Sequence, residues 1–209
     1  MAVFSSLDLA SLVDISKSSL TLALLSIAFN PTAWNVVARN EYRNKTITRL
    51  FGGNTRYGCY FLAILIFSFG VLRDSLYQRA LADQPRVALL PEPYATLIPA
   101  VLFIVGQTFV ITSTWALGIT GTFLGDYFGI LMEHRVEGFP FNVLRDPMYV
   151  GSTMCFAAGA LWYERPAGLL ITFYVYIVYA IALRYEGPFT DMIYAKRAEE
   201  RAKGSKKQI

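Results

Sequence analysis

PMYVGSTMCFAAGALWYERPAGLLITFYVYIVYAIAL, residues 147–183, decides the fold. Its two apolar runs, Pro147 to Tyr163 and Pro166 to Leu183, carry no charged side chain and are parted only by Glu164-Arg165. Each run approaches the roughly 20 residues a helix needs to cross the hydrocarbon of a bilayer. Each also begins with proline, which suits the first turn of a helix because its missing N–H has no partner to lose there. The pattern predicts a helical hairpin that turns at the charged pair and returns the chain to the face it left.

Working outward, the same absence of charge recurs. Between Lys17 and Arg39 there is none, although Asn30-Pro31 interrupts the run; Asn30 suits a cap and Pro31 the start of a new turn, so a kinked span and a helix that dips in and returns both fit. Tyr57 to Leu72 is uncharged between Arg56 and Arg73, whose long side chains can reach water from a short span. After Glu92 no charge appears until Asp126, which predicts a span from about Tyr94 to Leu117 that continues as helix through a glycine-rich stretch. Helices are expected over about 18–38, 57–72, 94–117, 147–163 and 166–184. Hydrophobic residues make up 55% of the 209 and charged residues 16%, more apolar surface than one globular core can hide, so a bilayer must take up the rest. The expected architecture is all-α: a polytopic membrane helix bundle forming one domain over 1–195, followed by a basic tail over 196–209.

Charge placement orients the bundle. From residue 196 onward, Lys196, Arg197, Arg201, Lys203, Lys206 and Lys207 face only Glu199 and Glu200, a bias that puts this end in the cytosol. Walking back through the hairpin makes 126–146 cytosolic, 73–92 lumenal and 39–56 cytosolic. Segment 39–56 carries Arg39, Arg43, Lys45, Arg49 and Arg56 against Glu41, whereas 73–92 is balanced, in agreement with that orientation. The terminal Lys206-Lys207-Gln208-Ile209 has the form of a dilysine retrieval signal, which points to the endoplasmic reticulum. MAVFSSLDLASLVDISK lacks the pattern of a cleaved signal peptide, leaving the first membrane helix to target the chain. The remaining charges form no stripe with aromatics, so nucleic-acid binding is excluded. Cys59 and Cys155 lie far apart inside apolar runs and read as packing residues; with one histidine, His134, no metal is implied.

Chemistry is concentrated between Leu117 and Ser152 and just past the hairpin. Gly121, Gly125 and Gly129 recur every fourth residue and would share one helix face, fit either for tight helix packing or for close approach of a cofactor to the backbone. Asp126 lies beside that face. Arg145-Asp146-Pro147-Met148-Tyr149 sets a cation, an anion and a phenol at the mouth of the hairpin, with Asp146 a candidate helix cap. At the far end, Arg184-Tyr185-Glu186-Gly187-Pro188 returns a carboxylate to the same face, where the hairpin can bring Tyr149 and Glu186 together.

The segments AFNPTAWNVVARNEY (28–42), ALGITGTFLGDYFGIL (116–131), FPFNVLRDPMYVGST (139–153) and YEGPFT (185–190) resemble, in order and over nearly the whole chain, the blocks of the phospholipid methyltransferase family. That family sits within a wider group that includes isoprenylcysteine carboxyl methyltransferases. Asp146 stands where the latter typically have a histidine, favouring the phospholipid branch, and the small size and YEG variant are similar to its small fungal members. The resemblance implies S-adenosylmethionine-dependent N-methylation of phosphatidyl-N-methylethanolamine and phosphatidyl-N,N-dimethylethanolamine in the bilayer, with phosphatidylethanolamine itself left open, to make phosphatidylcholine. It also implies cofactor positions. A family Gly-x-Gly matches Ile104-Val105-Gly106, keeping only the second glycine; a family Glu-Glu matches Glu186-Gly187, keeping only the first acid; and His134 matches a histidine of the isoprenylcysteine enzymes by order.

Expected cofactor contacts are therefore Ile104, Val105, Gly106, Gly121, Gly125, His134, Arg145, Tyr149, Glu186 and Gly187. Glu186 and Asp126 are the alternatives for a base, Tyr149 could cover the sulfonium with its ring, and Arg184, with Asn142, is assigned to substrate. A carboxyl methyltransferase and a non-catalytic lipid-binding scaffold of the same topology are the rival readings.

Overall fold

The structure is a computed structural model that describes residues 9–133 and 136–206. His134 and the last three residues, which include Lys207, lie outside the described residues. Helices dominate, with no strand among the described residues: α1 (Leu9–Leu12), α2 (Ser18–Asn44), α3 (Thr46–Leu50), α4 (Thr55–Asp83), α5 (Tyr94–Thr122), a 3-10 turn at Gly125–Phe128, α6 (Pro147–Trp162) and α7 (Pro166–Lys206). Among the described residues, four helical stretches are long and apolar enough to cross a membrane: Ser18–Asn44, Thr55–Asp83, Tyr94–Phe128 and Pro166–Glu199. The 16 residues of α6 rise only about 24 Å, so α6 is the short arm of the hairpin.

α2 is one continuous helix of 27 residues with Pro31 inside it, so the chain neither restarts nor doubles back at Asn30. Asn30 does not cap. Its amide donates to Ser26 O at 3.1 Å and across to Phe69 O of α4 at 3.3 Å, and its oxygen accepts from Trp34 Nε1 at 3.1 Å. A buried amide that spends its groups around a proline holds the helix together where the backbone ladder is weakened. α4 begins after the glycine turn 52–53, where the Asn54 side chain accepts from the backbone N–H of Arg56 and Tyr57, both at 3.1 Å.

The glycine-rich stretch departs from the expected continuous helix. Gly118 adopts φ 64°, ψ 179° inside α5, and Leu124 and Gly129 both take left-handed conformations at the borders of the 3-10 turn. Gly121, Gly125 and Gly129 therefore do not share a helix face, because the backbone changes direction between them. This breaks the α5 rod and folds residues 123–132 over the ends of the neighbouring helices.

α7 also runs past its expected end near 184, through Pro188 and into the basic segment. Proline disturbs the carbonyls of the preceding turn, and Arg39 of α2 donates its Nη2 to one of them, Tyr185 O, at 2.7 Å. The arginine plane also sits 4.6 Å from the Phe189 ring centre. Tertiary contacts sustain the helix where local propensity would end it.

α5 packs mainly along α6, α6 on α7, and α2 on α4 and α7. The α5–α6 crossing is made by two glycines: a Cβ on Gly106 would lie 2.6 Å from Gly151 O, and one on Gly151 would lie 2.5 Å from Gly106 O. Small residues let backbones approach closely where lipid offers no hydrophobic drive to associate. Leu20, Ala23, Ile27, Tyr77, Phe156, Ile171 and Val175 fill the core between α2, α4, α6 and α7. At one end of the bundle, Gln84 exchanges bonds with the Asp14 backbone at 2.8 and 2.9 Å and Arg86 pairs with Glu164 at 2.7 Å. The other end gathers the C-terminal end of α2, the start of α4, the 3-10 turn, the start of α6 and the extension of α7.

Candidate active site

The site at that second end starts from the hairpin. Pro147 opens α6, placing Tyr149 in its first turn, while α7 brings Glu186 back to the same level about five turns after its own start. The Tyr149 hydroxyl donates to Glu186 Oε2 at 2.6 Å, a short bond of the kind a carboxylate acceptor favours. The Tyr149 ring meets Tyr179 edge to face at 5.0 Å, and Tyr179 Oη lies 3.2 Å from Ser152 Oγ and accepts from Arg73 Nη1 at 2.6 Å.

One turn beyond Glu186, Thr190 donates to Asp126 Oδ2 at 2.9 Å, while Asp126 Oδ1 accepts from Tyr127 N at 3.1 Å. The 3-10 turn thus docks on the α7 face that carries Glu186. Tyr127 is fully buried with its ring stacked on Phe189 at 5.1 Å, and Tyr42 meets the same Phe189 at 5.3 Å. Among the described residues the buried Tyr127 hydroxyl makes no well-formed hydrogen bond, and the polar side chain that acts on it is Thr190. A buried hydroxyl without a well-formed bond costs free energy, and such a group beside a carboxylate is what a polar ligand would satisfy.

The other residues singled out by sequence are more scattered. Arg145 lies at the rim, its Nη2 3.7 Å from where a Gly187 Cβ would be and its Nε 3.9 Å from Asp146. Asp146 occupies the N-cap position of α6, as expected, and its carbonyl accepts from Val150 N at 3.2 Å, but its side chain makes no capping bond. Arg184 and Asn142 are exposed. Gly121 faces Met132, and Gly125 is pressed against the Thr120 carbonyl, where a Cβ would be 2.6 Å away. Ile104 points outward with 64% exposure, and Gly106 is closed against α6, the helix that carries Tyr149. No group of three or more metal-ligating side chains occurs among the described residues.

Several residues that shape this end of the bundle carried no sequence signal of their own. Arg39 and Glu41 read as loop charges, yet Glu41 is fully buried and its carboxylate accepts from Ile47 N at 2.6 Å, Thr48 N at 3.2 Å and the Thr48 hydroxyl, capping α3. Thr190 could have been found from its spacing of four from Glu186, which puts both on one helix face. A cleft of about 570 Å³ opens beside Asp126, lined by Tyr42, Arg56, Ile130, Ile193, Lys196 and Arg197 among others.

The chain resembles known proteins over nearly its whole length. The family model for phospholipid methyltransferases matches residues 94–197. The chain is 58% identical over 205 residues to a phosphatidyl-N-methylethanolamine N-methyltransferase of Neurospora crassa, covering 97% of this chain and 96% of that protein. It is 51% identical over 185 residues to the Saccharomyces cerevisiae protein of the same name, covering 88% and 89%. A phosphatidylethanolamine N-methyltransferase of Homo sapiens is 44% identical over 186 residues, covering 89% and 93%. No solved structure matches.

Proposed function

This chain belongs to the phospholipid methyltransferase family and is a membrane phospholipid N-methyltransferase, and from that premise we propose the donor, the site and the membrane it works in. The reaction is methylation of phosphatidyl-N-methylethanolamine and phosphatidyl-N,N-dimethylethanolamine to phosphatidylcholine, with S-adenosylmethionine as methyl donor. The observation that carries the site is the Tyr149–Glu186 pair at the mouth of the hairpin, 2.6 Å apart and one helical turn from the Asp126–Thr190 contact.

The residues fit such a donor. Carboxylates at Glu186 and Asp126 can accept from ribose and amino groups, the buried Tyr127 hydroxyl beside Thr190 offers a further contact, and Arg145 at the rim can hold a carboxylate. When bound, the donor supplies an electrophilic methyl carbon on a sulfonium. To take that methyl, the substrate nitrogen, an ammonium in water, would first have to give up one proton and so free its lone pair. Glu186, held by Tyr149, is the proposed acceptor of that proton. Alignment of nitrogen, carbon and sulfur is the main demand, and a rigid helix pair supplies it. The Tyr149 ring packs edge to face with Tyr179, which fixes the ring proposed to cover the sulfonium.

The proposed setting is the endoplasmic reticulum membrane, with the site end of the bundle in the cytosol. Arg39, Arg43, Lys45, Arg49, Arg56, Lys196 and Arg197 all belong to elements that meet at that end, the bias expected of a cytosolic face.

Labelled-methyl incorporation into phosphatidylethanolamine, its mono- and dimethyl derivatives and a prenylcysteine tests the reading. Label is expected in the two partly methylated lipids. Label in the prenylcysteine alone would overturn it.

A further inference from the structure

The cleft beside Asp126 is not explained by the Tyr149–Glu186 pair. Its walls come from four elements: Tyr42 from the last turns of α2, Arg56 from the first turn of α4, Asp126 and residues 129–131 from the 3-10 turn and its exit, and Ile193, Lys196 and Arg197 from α7. Glu186, Thr190, Ile193 and Arg197 recur at spacings of four, three and four, so they form one stripe along α7 that runs from the reaction centre into this cleft. Asp126 touches the stripe at Thr190, between the two ends.

Three cations meet at the outer end of the stripe, and among the described residues none of Arg56, Lys196 or Arg197 is within ion-pair distance of a carboxylate. Arg197 spends one N–H on Met132 O at 3.0 Å, which aims its guanidinium without neutralising it. The depth of the cleft in the membrane is marked by its neighbours. Tyr57 and Tyr60, exposed by 62% and 42%, follow Arg56 on α4, and amphipathic rings of this kind settle at the level of the lipid head groups. A cationic cleft at that level, with a carboxylate at its inner end, is complementary to a zwitterion whose anion lies outward and whose ammonium lies inward.

We propose that Arg56, Lys196 and Arg197 form the subsite for the phosphodiester of the substrate phospholipid, drawing the head group in along the α7 stripe so that its nitrogen passes Asp126 and arrives at Glu186. This inference rests on the methyl-transfer reading and adds which end of the lipid is held where. Arg56 and Lys196 are substrate-binding residues here; the shared chemistry with the donor is an oxyanion beside an ammonium, and the experiment separates the two.

The test uses the full-length enzyme in a neutral maltoside micelle. Arg56→Gln and Lys196→Gln alter exposed side chains outside the core, so folding is not at stake. Each variant should raise KM for the lipid about tenfold by loss of one charge-assisted contact, leave KM for S-adenosylmethionine unchanged, and hold kcat within twofold. Arg56→Lys should recover most of the loss. Calorimetric binding of glycerophosphocholine, the head group with its phosphate but no acyl chains, should weaken in both Gln variants, while binding of choline, which lacks the phosphate, should not. A raised KM for S-adenosylmethionine with lipid KM unchanged would give the cations to the donor's carboxylate and overturn the proposal, as would no change in either constant. The calorimetric arm reads the phosphodiester site even for a chain that methylated no lipid, so failure of the subsite and failure of the proposed reaction give different results.

Discussion

Gly106→Ala separates two roles for the same glycine, and the structure sets the size of the effect. The backbone of Gly106 is ordinary helix, so alanine strains no dihedral. The added methyl would lie 2.6 Å from Gly151 O and 2.9 Å from Cys155 Sγ, whereas ordinary contact begins at 3.4 Å. The cysteine can rotate, but the carbonyl belongs to the backbone of α6, so the two helices must part by about 0.8 Å. Overpacking of this kind costs about 1–3 kcal/mol, which corresponds at 2 kcal/mol to a fall in melting temperature of about 4–8 °C for a chain of this size. Gly151 is two residues from Tyr149, so the displacement is passed to the bond with Glu186, and a misplacement near 1 Å costs about a hundredfold in rate. Thermal unfolding in detergent and single-turnover methyl transfer measure the two effects. A variant with wild-type melting temperature but weakened binding of S-adenosylhomocysteine would refute the packing argument and return Gly106 to direct contact with the donor.

Glu186→Gln keeps an acceptor for Tyr149 and removes the charge; turnover is expected to fall by at least about a hundredfold with membrane insertion intact, and wild-type turnover would take Glu186 out of the chemistry. Glu41→Ala leaves the Ile47 and Thr48 N–H groups without their buried partner, so the protein should lose about 3 kcal/mol, read as early unfolding with little change in KM. Gly118→Ala has open space for its methyl but must hold φ 64° with ψ 179°, a cost of about 1–3 kcal/mol; an unchanged melting temperature would show that the α5 break relaxes without loss.

Residues 147–183 disclose the hairpin because a charge inside hydrocarbon is so costly that a long run without one marks a helix built for the bilayer. The same rule exposes the runs behind α2, α4 and α5, and the ordered family blocks named the reaction. Local signals mislead where tertiary contacts override them. Asn30-Pro31 has the form of a helix start, yet the Asn30 amide bridges to Phe69 and α2 continues. Gly187-Pro188 has the form of a stop, yet Arg39 takes up the Tyr185 carbonyl and α7 continues. Even spacing of Gly121, Gly125 and Gly129 suggests one face, yet Gly118, Leu124 and Gly129 take backbone angles that no helix contains.

By itself, then, the sequence determined a helical membrane bundle, its hairpin and its chemical family, since these depend on composition, run length and residue order along the chain. Only the tertiary structure decided that Asp126 meets Thr190, that Glu41 caps α3 from inside, and that Arg56 joins Lys196 and Arg197 around one cleft. Those relations join residues up to 141 positions apart in number, and no periodicity within a single element encodes which helix end its side chains will meet.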